Sequence, residues 1–139
     1  MANSTMVKLE IALIQHLSTE TGIPATGTNC RIHPDILPQN PTYPAITYQQ
    51  ILSNTHHDID IDFPRYQITA WHDRRIDAIN LAADIDNALN RFKGMLGAER
   101  IKQIAKEPSP GVLFDRDAGV SGVYYVPQDY KIILYRKKG

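Results

Sequence analysis

The sequence has one cysteine, one tryptophan, no surplus of either charge and no long apolar run. Each shortage closes off a class of function. With Cys30 alone, no intramolecular disulfide can form, and a reducing compartment is the expected setting. Cys30 has no CxxC partner, so it reads as a small buried residue, not a nucleophile. Fifteen Lys and Arg balance fifteen Asp and Glu, which argues against a strongly basic nucleic-acid binder. The same neutrality leaves little repulsion to oppose self-association. No stretch is long and apolar enough to span a membrane, and the opening MANSTMVKLE lacks the basic and apolar regions of a signal peptide. A cytosolic product is expected. No Gly-rich phosphate loop, GxSxG elbow or HExxH helix occurs, and the glycines at 94, 97, 111, 119 and 122 are scattered as turn residues.

What is present is scaffold. A chain of 139 residues, 42% hydrophobic and 22% charged, predicts a single domain over 1–139, large enough to bury a real core, with 1–5 and 136–139 as flexible ends. Residues 65–92 carry the clearest pattern. Tyr66, Ile68 and Ala70 alternate with Gln67, Thr69 and Trp71, the period-2 signature of a strand. At Asp73 the period switches. Ile76, Ile79, Ala82, Ala83, Ile85, Leu89 and Phe92 then read as mostly one face of a helix ending near Gly94 or Gly97. Met6, Leu9, Leu13, Ile14 and Leu17 form an earlier helical stripe, flanked by Ile11, which Ser4 or Thr5 can cap and Gly22 can stop. Strands are expected over 30–33, 45–52 and 123–135, separated in the first case by a loop with Pro34, Pro38, Pro41 and Pro44. Residues 99–106 fit a two-turn helix or a strand, and 108–122 a loop. The expected class is α+β, a small mostly antiparallel sheet of four to five strands packed against two helices, in the order α-β-β-β-α-β-β.

Few constellations could carry chemistry. His56, His57, Asp58, Asp60 and Asp62 combine imidazoles with carboxylates and could hold a divalent metal for a metal-dependent enzyme. The spacing favours another reading. On a strand, Asp58, Asp60 and Asp62 share one face about 6.5–7 Å apart, opposite Ile59, Ile61 and Phe63. That predicts an edge with one face in the core and an acidic face toward water or a partner; no metal or other cofactor is expected. An EF-hand is excluded, because no Gly stands at its sixth position and no Glu closes it. His33 is isolated, and His72, where strand becomes helix, suits a cap or loop role. Basic residues gather at Arg136, Lys137 and Lys138, and at Arg74 and Arg75. Cations at a helix start oppose its dipole, and Asp73 and Asp77 offset them only partly, which suggests an intersubunit partner.

One set of segments resembles a known family. A Pro-rich loop leads into Tyr43-Pro44-Ala45-Ile46-Thr47-Tyr48, and a strand ends Ile68-Thr69-Ala70-Trp71. A helix carries Ala78, Leu81-Ala82, Ile85 and Ala88-Leu89. Phe114-Asp115 precede a late strand with Tyr124, Asp129-Tyr130 and Ile132. From about residue 7 to 136 this is similar to the tail-completion, or tail-terminator, proteins of long-tailed phages and prophages. The resemblance implies a structural virion protein, not an enzyme. It would form a hexameric ring on the tail tube, end polymerisation, join the tail to the head connector and let DNA pass through the lumen without sequence recognition. A head-closure protein of the same junction is the alternative. The resemblance tips 99–106 toward a strand paired with 123–135. It leaves as expected subunit or partner contacts the acidic stripe Asp58, Asp60 and Asp62, the basic Arg74, Arg75, Arg136 and Lys137, and Phe114 and Asp115 in a loop that orders on its neighbours.

Overall fold

The computed structural model describes residues 5–52, 55–56, 61–116 and 122–135. Helix α1 (Thr5–Thr21) buries Leu9, Leu13 and Leu17, spaced by four so that they stack on one face. It stops at Gly22, which takes the left-handed φ of 77° and returns its N–H to Ser18 O at 2.9 Å. Strand β1 (Ile32–Pro34) follows, then β2 (Ala45–Leu52), β3 (Thr55–His56), β4 (Ile61–Asp62) and β5 (Arg65–His72). Helix α2 (Arg75–Leu89) leads to β6 (Gly94–Leu96), β7 (Glu99–Lys106), β8 (Leu113–Asp115) and β9 (Val123–Tyr135).

The nine strands of the described residues join one sheet, with the path β1-β2-β5-β9-β4-β3 and with β7, β8 and β6 attached beside it. Only β1 and β2 pair in parallel among the described strands. The class and the antiparallel character agree with the sequence reading; the strand number does not, being nine instead of four to five. The surplus is short strands of two or three residues, too brief to show a period of two. Residues 99–106 are a strand, held to β9 from Ile101↔Leu134 to Lys106↔Tyr130. Residues 108–122 are not all loop, since β8 pairs with the start of β9. The second helix stops at Leu89, short of Gly94, because Arg91 N–H bonds Ile104 O and Ile104 N–H bonds Phe92 O, committing the chain to β7. The first strand lies one or two residues later than expected, at Ile32–Pro34.

Both helices pack on one sheet face. Tyr66, Ile68 and Ala70 of β5 and Val126, Tyr130, Ile132 and Leu134 of β9 point into the core with Ala78, Leu81, Ala82, Ile85 and Leu89 of α2. Each large aliphatic side chain so buried contributes about 1.5–3 kcal/mol. Polar ties set the helix position. Gln128 Nε2 donates to Ala82 O at 3.0 Å, and Tyr130 hydroxyl donates to Asp86 Oδ1 at 3.0 Å. His16 Nε2 lies 2.9 Å from Ala88 O, linking α1 to α2. Tyr66 and Tyr130 are direct cross-strand partners at the centre, both fully buried. Burial first, then the carboxylates of Glu10 and Asp86 respectively, push both phenols well above their ordinary pKa.

Among the described residues no helix lies over the opposite sheet face, which closes itself with polar side chains. Trp71 Nε1 donates to Thr47 Oγ1 at 2.9 Å and the indole stacks on Tyr125 at 4.8 Å. Gln67 Nε2 and Arg65 Nη2 both reach the Asp129 carboxylate, at 3.2 and 3.4 Å. The bond from Trp71 gives the buried Thr47 hydroxyl a partner in this layer.

Two assignments of facing are corrected. Ile76, Ile79 and Ala83, placed on the inner stripe by their apolar character, are exposed. The inner stripe is Ala78, Leu81, Ala82, Ile85, Ala88 and Leu89. On β4 the predicted faces are reversed. Asp62 is buried and Ile61 is half-exposed, where β4 pairs with both β3 and the end of β9.

Candidate assembly surface

The end of the molecule where β5 becomes α2 gathers most of the unexplained residues. Register places them together. His72 of β5 pairs with Tyr124 of β9, and Tyr124 pairs with Phe114 of β8. One row along the sheet, Trp71 pairs with Tyr125 and Tyr125 with Leu113. Of the nine expected contact residues, Arg74, Arg75, Phe114 and Asp115 all belong to this end.

The turn into α2 is held by His72. Its Nδ1 lies 3.2 Å from Arg74 N–H and 2.8 Å from Asp73 Oδ1, while Nε2 is 3.8 Å from Asp77 Oδ2. His72 thus has a local role in the turn. Arg74 is the N-cap residue, with no side-chain cap bond, and Nε of its largely exposed guanidinium is 3.7 Å from Asp77 Oδ2. A pair so exposed contributes on the order of 0–1 kcal/mol. Stability therefore does not account for two arginines at the positive end of a helix dipole.

On the neighbouring strand, Phe114 lies over Gly122, where an added Cβ would come within 2.4 Å of the ring, and its centroid is 4.6 Å from that of Tyr124. The ring is fixed in place yet 45% exposed, and Leu113 is 39% exposed. Tyr43 sits close by. Its pKa is raised by burial first, then by the Asp73 carboxylate and then by Asp115. Beyond the turn, α2 presents Ile76 at 69% and Ile79 at 39% exposure. This combination of fixed exposed aromatic and aliphatic groups with flanking charges of both signs suits protein contact.

Ile76, Ile79 and Leu113 were missed as contact residues. The signal for the first two was available: positions 78, 81, 82, 85, 88 and 89 complete a helical stripe without them. Leu113 had no such signal, because a three-residue strand has no readable period.

The remaining expected contacts lie elsewhere. Asp62 is at the opposite end of β9, in the bridge Asp62↔Leu134, and is buried, so it is not on a solvated acidic face. Asp58, Asp60, Arg136 and Lys137 lie outside the described residues, as does His57, and of His56 only its place in β3 is described. Among the described residues no group of three or more His, Cys, Asp and Glu is placed to hold a metal ion. Cys30 and His33 line a cleft of about 430 Å³ beside Arg31 and Pro38. Cys30 is half-buried and its thiol donates to Ala25 O at 3.1 Å, which gives it a packing role there. Burial lowers the His33 pKa. No helix among the described residues is long and apolar enough to cross a membrane.

The family model of the tail completion protein gp17 matches residues 11–134, and the chain belongs to that family. It is therefore a phage tail protein. A solved structure, a chain of the virion of a native gene transfer agent (GTA) particle, superposes with a TM-score of 0.62 at 13% identity, covering 96% of this chain and 99% of that one. At that identity the likeness is one of fold. No curated protein sequence matches the chain.

Proposed function

We propose that this protein caps the tail tube as a hexameric ring, ends tube polymerisation and joins the tail to the head connector, with DNA passing through the lumen. Family membership supports the tail assignment. The observation that carries the joining role is the exposed end built from Arg74, Arg75, Ile76, Ile79, Leu113 and Phe114, which leaves apolar area and arginines at a helix start on the surface. A ring of identical subunits needs two different complementary patches on each copy. It also needs surfaces for the tube below and the connector above, so a subunit with most of its exposed apolar groups left outside the core is suited to it. No enzymatic step belongs to this reading.

The test is Arg74→Glu combined with Arg75→Glu. The monomer keeps its fold, measured by circular dichroism and thermal melting, because both side chains are exposed. Tail joining in an assembly assay falls, as does the fraction of tubes with a capped end in negative-stain images. Full joining activity in the double variant would reject this end as the joining surface.

A further inference from the structure

One nitrogen of His72 sits between a donor and an acceptor. Its Nδ1 is 3.2 Å from the Arg74 backbone nitrogen and 2.8 Å from Asp73 Oδ1. It cannot serve both at once. Without a proton, Nδ1 accepts the Arg74 N–H and meets the Asp73 carboxylate lone pair to lone pair. With a proton, it donates to Asp73 and sets its own hydrogen against the Arg74 N–H. The side chain is 17% exposed, so little water is at hand to relieve either conflict.

The place of this nitrogen gives the choice a consequence. Arg74 is the N-cap residue of α2 and has no side-chain cap bond. Asp77 stands at the third helical position, from which an acid can reach back to the N-cap N–H. Here Asp77 lies instead 3.7 Å from Arg74 Nε and 3.8 Å from His72 Nε2, and His72 Nδ1 takes the N-cap N–H. We infer that His72 is a two-position switch on the start of α2 that regulates the joining end. Neutral, with its proton on Nε2, the ring holds the Arg74 N–H and fixes the turn that carries Arg74, Arg75 and Ile76. Doubly protonated, it releases that N–H, bonds Asp73 through Nδ1 and draws Asp77 from the Arg74 guanidinium through Nε2. The end is then less firmly held and more positive by one charge. The consequence for assembly rests on the joining reading above.

The groups that face the ring come from several elements. Asp73, Arg74 and Asp77 belong to its own turn, and Asp84 of α2 lines the same cleft of about 360 Å³. Tyr124 is its register partner on β9, and Tyr43 of the preceding loop lies near Asp73. Thr21 of α1 and Ile23 complete the cleft on that side, and neither titrates. Of all these side chains, histidine is the type that ordinarily changes charge between about pH 5 and 8.

Two measurements on the full chain test this. In NMR spectra of isotope-labelled histidine at about pH 8, His72 is expected to carry its proton on Nε2 and none on Nδ1, with the Arg74 amide slow to exchange. As the pH is lowered to about 5.5, Nδ1 gains a proton and the Arg74 amide loses its protection, after correction for the pH dependence of intrinsic exchange. A neutral ring with its proton on Nδ1, or an Arg74 amide indifferent to the state of the ring, overturns the switch. The second measurement is tail joining over the same range, for the wild type and for His72→Asn, whose amide oxygen accepts the Arg74 N–H at every pH. Wild-type joining falls as the ring is protonated, whereas the variant matches the wild type at the alkaline end and holds that level throughout. Parallel profiles for the two proteins overturn the regulation of joining. If ring and amide titrate together while Arg74→Glu with Arg75→Glu joins fully, the joining reading has failed and the switch within the fold has not.

Discussion

Ile76 and Ile85 are the same residue type on the same helix, and they do opposite work. Ile85 is fully buried between α2 and the sheet, whereas Ile76 is 69% exposed beside Arg74 and Arg75. The inner face of α2 is bonded to the sheet by Gln128 and Tyr130 at two successive turns. Among the described residues the outer face, with Ile76 and Ile79, shows no comparable bond to the sheet. The difference shows that one side of α2 serves the fold of the monomer and the other is left for something outside it.

The sharpest way to break the comparison is to cut back one isoleucine on each face. Ile85→Ala removes a fully enclosed side chain and is expected to cost about 2–5 kcal/mol, read as a lower denaturant midpoint. A loss under about 1 kcal/mol would mean that the inner face is not packed as described.

An intermediate effect is expected at the buried tyrosines. In the fold, Tyr66 and Tyr130 keep their protons beyond the ordinary value of 10.0, at which they ionise in the unfolded chain. Their contribution is present below about pH 10 and is lost as pH rises above it, by about 1.4 kcal/mol per pH unit for each tyrosine. Urea midpoints measured from pH 8 to 11 are expected to fall above 10, and Tyr130→Phe to make that fall shallower. The same variant loses the bond to Asp86, a cost of about 1 kcal/mol at neutral pH. A wild-type midpoint that stays level through pH 11 contradicts the burial of both phenols.

The smallest effect on stability is expected at Ile76→Ser, within about 0.5 kcal/mol, because an exposed side chain leaves no cavity. Its effect on tail joining should nevertheless be large. If joining is unimpaired, the outer face of α2 is ordinary surface and the contrast with Ile85 has no functional meaning.

Much of the architecture is legible in the sequence where elements are long. The strand Tyr66 to Trp71, the helix after it and the strand ending at Tyr135 all declare their period, because each spans enough residues for a burial pattern to repeat. Residues 99–106 were ambiguous on local grounds, since their eight residues fit either element, and the pairing with β9 decides for a strand. The candidate surface was legible in part. Arg74 and Arg75 stand out by opposing the helix dipole, whereas Leu113 and Ile76 look like ordinary core residues until their neighbours are known.

The sequence by itself determined the class of fold, the main strands and helices, and a family resemblance that the match over residues 11–134 bears out. Those follow from periodicity, which is a property of neighbours along the chain. Tertiary structure alone decided which isoleucines of α2 face water, that Asp62 is inside, that β6 and β8 exist, and that Phe114 and Arg74 share one end. Each of these depends on which distant segment lies alongside. Pairing across β9 brings together residues that no local pattern connects.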